Sequence, residues 1–241
     1  MFNDKQLIII GGGTSIQEGI SNGLWEKLNG KLTFGINYSF NFFEATAQVF
    51  VDLDFYKKEN EKLAKLPLVM GKEHRGVESL PNTQFYLDNS QYDPTLKHGV
   101  YKSSLCGLFA LSIGCFLKPK EIFLLGYDYG NIDNKKKEDI PETHFYQGKI
   151  NHRGIGKVNY YNALGRAERD FKVYGNAPVH IYNVSLNSKI EVFPRISYKE
   201  FFEMLDSNKY NQDELRECIL NELKEVQNEQ RRIKANRRKN R

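Results

Sequence analysis

The run Gln6-Leu7-Ile8-Ile9-Ile10, passing without a break into Gly11-Gly12-Gly13-Thr14-Ser15, restricts the fold more than anything else in the chain. An aliphatic run with no polar alternation reads as a strand buried on both faces, the habit of parallel sheets. Three glycines then let the backbone turn sharply and come close to another group without Cβ clashes. Ile16, Ile20 and Leu24, spaced by four, predict a helix after the turn, with Thr14 or Ser15 as its cap. Backbone N–H groups at such a helix start suit a phosphate. The spacing is not the dinucleotide G-x-G-x-x-G, because Ile16 stands where the last glycine belongs, and no Gly-Lys-Ser/Thr follows to make a Walker A loop. The loop therefore has two readings, a phosphate cradle or the close packing of one backbone on another.

Apolar runs and amphipathic stretches alternate through most of the sequence. This predicts a doubly wound α/β domain with a mostly parallel sheet and helices on both faces. Further strands are expected at Leu32–Ile36 (ending at Asn37), Val49–Val51 (ending at Asp52 and Asp54), Leu68–Met70, the edge segment Gln84–Leu87, Glu121–Leu125 and Val179–Tyr182. Helices are expected at Phe55–Lys65, Ser104–Leu117, Tyr160–Val173, Ser197–Leu205 and Asp213–Ile233. The second doubly buried strand, Glu121–Leu125, ends in Gly126-Tyr127-Asp128-Tyr129. Residues 131–158 are polar and read as a lid-like loop. The domain is expected over 1–206, followed by a C-terminal helix and basic tail over 207–241.

A chain of 241 residues buries one good core. No 18-residue apolar run is present, so no membrane span is expected. Cys106 and Cys115 share one predicted helix, too far apart to bridge, and with Cys218 they read as free thiols of a reducing cytoplasm. The net charge of +5 belongs to the tail. Gln230–Arg241 carries seven Lys or Arg and no acid, and the remainder sums to −2. Such a tail is expected to be a solvated, frayed terminus; it could make weak nucleic-acid contact through counterion release, but no aromatic interleaves it to stack bases. The thin stripe Leu215, Ile219, Leu223 and Val226 suits docking on the domain or pairing with a second copy.

In open α/β sheets ligands bind outside the carboxyl ends of the strands. Ser15, Asn37, Asp52, Asp54, Asp128 and Asn183 fall at those ends. Asp52-Leu53-Asp54 could hold a divalent metal, since two carboxylates two residues apart can reach one hard cation; helix capping is the competing reading. His144, Tyr146, Lys149, His152 and Arg153 gather on the lid-like loop. There a histidine can act as a general base, and Tyr, Lys and Arg can stabilise a departing phosphate.

These motifs together resemble the Rossmann-like family of bacterial sialyltransferase-like proteins and its phage relatives. The matching elements are a strand followed by Gly11, Gly13, Ser15 and Ile16, and a strand ending in Asn37, Tyr38 and Phe40. They continue with Ser103-Ser104-Leu105-Cys106-Gly107 leading to Leu125-Gly126-Tyr127-Asp128-Tyr129, then His144-Phe145-Tyr146-Gln147-Gly148. The resemblance covers residues 5–205. It implies metal-independent transfer of a sugar from a CMP-linked donor to a glycan or other hydroxyl acceptor, with no cofactor required. It implies that Gly11, Gly12, Gly13, Thr14, Ser15, Asn37, Ser104, Gly126 and Asp128 hold the nucleotide. His152, His144, Lys149, Tyr146 and Tyr129 would supply the chemistry. Lys149 stands where the family has its catalytic histidine, and His152, three residues on, would substitute. The family also implies a homo-oligomer, in the cytoplasm of a bacterium or phage-infected host cell. Two other functions compete. One is metal-dependent pyrophosphoryl transfer, as in pterin diphosphokinase-like relatives, using Asp52, Asp54 and Asp128. The other is a non-catalytic phage structural or nucleotide-binding module.

Overall fold

The computed structural model describes residues 2–72, 83–85, 93–97, 105–129, 144–146 and 166–239. Among the described residues seven strands form one sheet: β1 (Gln6–Ile10), β2 (Leu32–Ile36), β3 (Ala47–Phe50), β4 (Val69–Lys72), β5 (Thr83–Phe85), β6 (Glu121–Leu125) and β7 (His180–Val184). Their order is β5-β4-β3-β2-β1-β6-β7, and every pairing is parallel. The expected doubly wound, Rossmann-like α/β architecture is what the chain adopts. The two aliphatic runs lie side by side at the centre, with Ile8 opposite Phe123 and Ile10 opposite Leu125. Because strand side chains alternate, Leu7, Ile9, Ile122 and Leu124 enter one core layer, and Ile8, Ile10, Phe123 and Leu125 the other.

Helices cover both layers. α1 (Ile16–Ser21), α2 (Leu24–Leu28) and α3 (Leu53–Leu63) lie on the Ile8 face. α4 (Cys106–Leu117) and a helical segment at 166–171, which runs into the 3-10 turn Lys172–Tyr174, lie on the Ile9 face. α5 (Tyr198–Met204) returns to the Ile8 face through Tyr198 and Phe201, and α6 (Gln212–Lys239) crosses the opposite one. Among the described residues no helix is long and apolar enough to cross a membrane. None of the three cysteines is in a disulfide; Cys106 and Cys115 are buried and Cys218 partly so.

Three local expectations change. The helix predicted through Leu24 stops at Ser21, because Gly23 turns left-handed at φ 75° and restarts the chain as α2. Ser15 does not cap α1 with its side chain; its hydroxyl is used elsewhere, as described below. The C-terminal helix continues to Lys239, past the end expected at Ile233 and into the tail expected to fray. The tail is made of good helix formers and contains neither Gly nor Pro.

α6 docks on the domain. Asn211 starts it, its Oδ1 accepting from the N–H groups of Asp213 at 3.0 Å and Glu214 at 3.4 Å. Leu215, Ile219, Leu223 and Val226 are buried in the same layer as α4 and Met70. Arg216 donates to the Thr46 carbonyl and the Glu44 carboxylate, while Arg231 and Arg232 stand exposed. Ahead of α6, the buried Lys31 ammonium ties down the linker by donating to the Asp206 carboxylate at 2.9 Å and to the carbonyls of Asp206 and Asn208.

Candidate functional site

The order β2-β1-β6-β7 puts the topological switch point between β1 and β6, where a crevice opens at the carboxyl ends of the strands. The glycine loop after β1 lies directly on the end of β6. Gly11 N–H donates to the Leu125 carbonyl at 2.7 Å, and Gly13 N–H to the Gly126 carbonyl at 2.9 Å. A Cβ on Gly11 would stand 2.8 Å from the Gly126 carbonyl oxygen, and one on Gly13 would stand 2.5 Å from Asp128 Oδ2. Both glycines are needed for this backbone-on-backbone approach, whether or not a ligand is bound.

Asp128 closes the loop. Its carboxylate accepts from Ser15 N–H at 2.9 Å, from the Ser15 hydroxyl, and from the Thr14 hydroxyl at 3.4 Å. One N–H that a phosphate would use is therefore already committed to a carboxylate. Among the described residues the N–H groups of Gly12 and Thr14 make no hydrogen bond to the protein.

The lid-like loop is described only at 144–146, and that piece sits on the glycine loop. Phe145 N–H donates to the Gly12 carbonyl at 2.9 Å. A Cβ on Gly12 would meet His144 Cδ2 at 2.5 Å and the Tyr146 hydroxyl at 2.9 Å, so both side chains lie over this glycine. The two rings stack at 5.0 Å, and Tyr146 packs in turn against Tyr38 at 5.6 Å and Phe42 at 6.5 Å. Burial, with smaller contributions from Cys106 and Tyr38, pushes the Tyr146 phenol far above its ordinary range. It is a neutral hydrogen-bond donor at any working pH.

No family model, curated protein or solved structure matches this chain. The chemistry is read from the geometry.

Asn37 ends β2 one strand away, in a left-handed conformation (φ 51°) uncommon for any residue but glycine. Its carbonyl accepts from Gln48 Nε2 at 2.7 Å, while its side-chain Oδ1 is buried without a hydrogen bond among the described residues. Backbone strain and an orphaned polar atom at a strand's carboxyl end are features that collect at ligand sites. Cys106 lies beside this turn with its Sγ 3.5 Å from the Val49 carbonyl; burial, then the Asp52 charge, raises its pKa, so it remains a thiol. Tyr129, also left-handed at φ 43°, faces the start of α4, its hydroxyl 3.0 Å from where a Gly107 Cβ would be.

The fold thus brings Gly11, Gly12, Gly13, Thr14, Ser15, Gly126, Asp128, His144 and Tyr146 into one locus. Asn37 reaches it through the Tyr38–Tyr146 contact, and Tyr129 packs away from it against Phe171 at 5.4 Å. Ser104, Lys149 and His152 lie outside the described residues. Asp52 and Asp54 are exposed at the start of α3, and among the described residues no three His, Cys, Asp or Glu side chains converge as a metal site. Asn183 braces the end of β7, its Nδ2 donating to Ser188 Oγ at 2.8 Å and the Tyr127 carbonyl at 3.2 Å, while its Oδ1, like that of Asn37, is buried with no hydrogen bond among the described residues. Sequence reasoning missed Tyr198, a buried ring that meets α1 across Gly19. The signal was present, since a glycine inside a helical pattern marks a close packing partner.

Proposed function

We propose that this protein transfers a sugar from a nucleotide donor, CMP-linked, to a hydroxyl acceptor. One observation carries the reading: His144 and Tyr146 lie together on Gly12, at the switch point of the sheet. A base and a neutral donor there share the loop with the N–H groups of Gly12 and Thr14, which make no hydrogen bond among the described residues. The acceptor oxygen attacks the anomeric carbon while the bond from that carbon to the phosphate oxygen breaks, its electron pair leaving with the nucleotide. His144 takes the acceptor's proton. The Tyr146 hydroxyl and the Gly12 and Thr14 N–H groups donate to the phosphate as it gains charge. Asn37, with its free amide oxygen, suits the amino group of a cytosine or a ribose hydroxyl. Three cysteines outside any disulfide suit a reducing compartment, in keeping with a cytoplasmic enzyme.

The test combines a melting assay with turnover. Cytidine nucleotides at 100-fold their dissociation constant should add about 2.7 kcal/mol of stability, and the shift should survive EDTA. His144→Ala should keep that shift and lose about 10²–10⁴-fold in transfer from a CMP-sugar. No response to any cytidine nucleotide overturns the reading, and so does full turnover by His144→Ala.

A further inference from the structure

α6 divides into two parts. Up to Val226 its apolar stripe is docked on the domain, and Gln230 is the last buried residue among those described, its Nε2 donating to the Leu96 carbonyl at 2.6 Å. Past that anchor Arg231, Arg232, Ala235 and Asn236 are exposed, while the backbone stays helical to Lys239. The helix therefore leaves the domain as an arm, and the charge of the chain is concentrated there. Of the nine residues from 231 to 239, six are basic (Arg231, Arg232, Lys234, Arg237, Arg238 and Lys239) and none is acidic.

Nothing within the helix balances these charges. Arg232 reaches back to Glu229 at 3.3 Å, but from Lys234 onward no acidic residue lies within four positions. Lys234 instead has Arg231 three positions before it and Arg237 and Arg238 three and four after it, like charges that repel on a helix. The helix dipole accounts only for cations in the last turn, and Arg231, Arg232 and Lys234 stand further in. A polyanion would relieve the repulsion. At a rise of about 1.5 Å per residue the six cations occupy about 12 Å of helix, one per about 2 Å, close to the one negative charge per about 1.7 Å of a DNA duplex. A helix about 10–12 Å across with its side chains also fits a major groove about 12 Å wide. Four of the six are arginines, whose forks match phosphate oxygens. Other polyanions fit less well. Ile233 and Ala235 are the only apolar residues of the arm, too few to make a face that enters a lipid surface. No aromatic is present to stack the bases of a single strand, and the major groove of an RNA duplex is too narrow to admit a helix.

We propose that the arm of α6 binds double-stranded DNA without regard to sequence, through the phosphates that flank the major groove. The inference goes beyond sugar transfer and uses none of its residues, so the two stand or fall separately. The test is fluorescence anisotropy of a labelled DNA duplex titrated with the full chain. With all six side chains on phosphates, affinity should fall about 10³-fold between about 50 and 200 mM salt, a log–log slope of about −5. Arg231→Gln together with Arg232→Gln, both at exposed positions, should weaken binding to every duplex alike and make that slope shallower by about two, with the melting temperature unchanged. Glutamine at all six positions keeps good helix formers in place and should abolish binding; the cytidine melting shift, read on the same variant, reports separately on the switch-point crevice. The proposal is overturned if the duplex does not bind at about 50 mM salt, if the slope is shallower than about −2, or if the six-glutamine variant binds as the wild type does. It is overturned equally if a single strand of the same length binds as tightly as the duplex, or if phosphatidylserine vesicles do, which would assign the arm to a membrane surface.

Discussion

Replacing Gly13 with alanine tests whether the glycine loop is built for packing. The new Cβ would stand 2.5 Å from Asp128 Oδ2 and 2.6 Å from the Gly126 carbonyl oxygen, against about 3.4 Å for an ordinary contact. Something must retreat by about 0.9 Å, and neither obstacle is a free side-chain end. One is backbone, and the other is a carboxylate held by Ser15 and Thr14. Overpacking of this kind costs about 1–3 kcal/mol. The retreat also stretches the hydrogen bond from Gly13 N–H to Gly126 and those from Ser15 to Asp128, each worth about 0.5–1.5 kcal/mol or somewhat more where charge is involved. The sum is about 2–4 kcal/mol. For a chain of this size each kcal/mol lowers the melting temperature by about 2–4 °C, so Gly13→Ala should melt about 5–15 °C below wild type. Gly23→Ala is the control. Its Cβ meets nothing closer than 3.5 Å, leaving left-handed strain of about 1–2 kcal/mol as its main penalty. Urea unfolding followed by circular dichroism measures both. If Gly13→Ala lies within about 0.5 kcal/mol of wild type, close packing is not why the glycine is there and the loop is open for a ligand alone.

Two further outcomes follow from burial. Tyr127, Tyr146 and Tyr198 all have phenols raised above the ordinary value of 10.0, in each case chiefly by burial. Above pH 10 the unfolded chain therefore releases protons that the folded chain keeps, and stability must fall as pH rises from there. Unfolding at fixed urea should grow steeper with alkalinity, with the tyrosinate absorbance of these residues appearing only as the chain unfolds; tyrosinate signal from all fourteen tyrosines in the folded state contradicts this. Ile219→Ala removes a fully buried side chain from the seam between α6 and the sheet. It should cost about 2–5 kcal/mol in equilibrium unfolding, and a loss under about 1 kcal/mol would mean that α6 is not part of the cooperative core.

The layout was legible where local pattern and burial agree. Leu7–Ile10 and Ile122–Leu125 are buried on both faces and read directly as central parallel strands. The helix expected from Ser197 begins there, and a capping box between Ser197 and Glu200 closes its first turn. The break at Gly23 escaped notice because the apolar spacing of Ile16, Ile20 and Leu24 survives it; all three still face one layer although the backbone has turned between them. The site was legible only as strand ends. That Asp128 meets Ser15 across 113 positions, or that Phe145 reaches Gly12, depends on how β1 and β6 pair, and no local pattern records it.

The central pairing of β1 with β6 also sets an order of events during synthesis. A chain emerging from the ribosome can assemble β1 to β5 into a half-sheet long before residue 125 is made. In that half-sheet β1 is an open edge, apolar on both faces, and such edges recruit other strands. It is sealed only when β6 arrives, more than a hundred residues later in the sequence, so the nascent chain is most prone to aggregate while its most hydrophobic strand waits for its partner. A truncation ending before Glu121 would keep β1 and lose that partner for good.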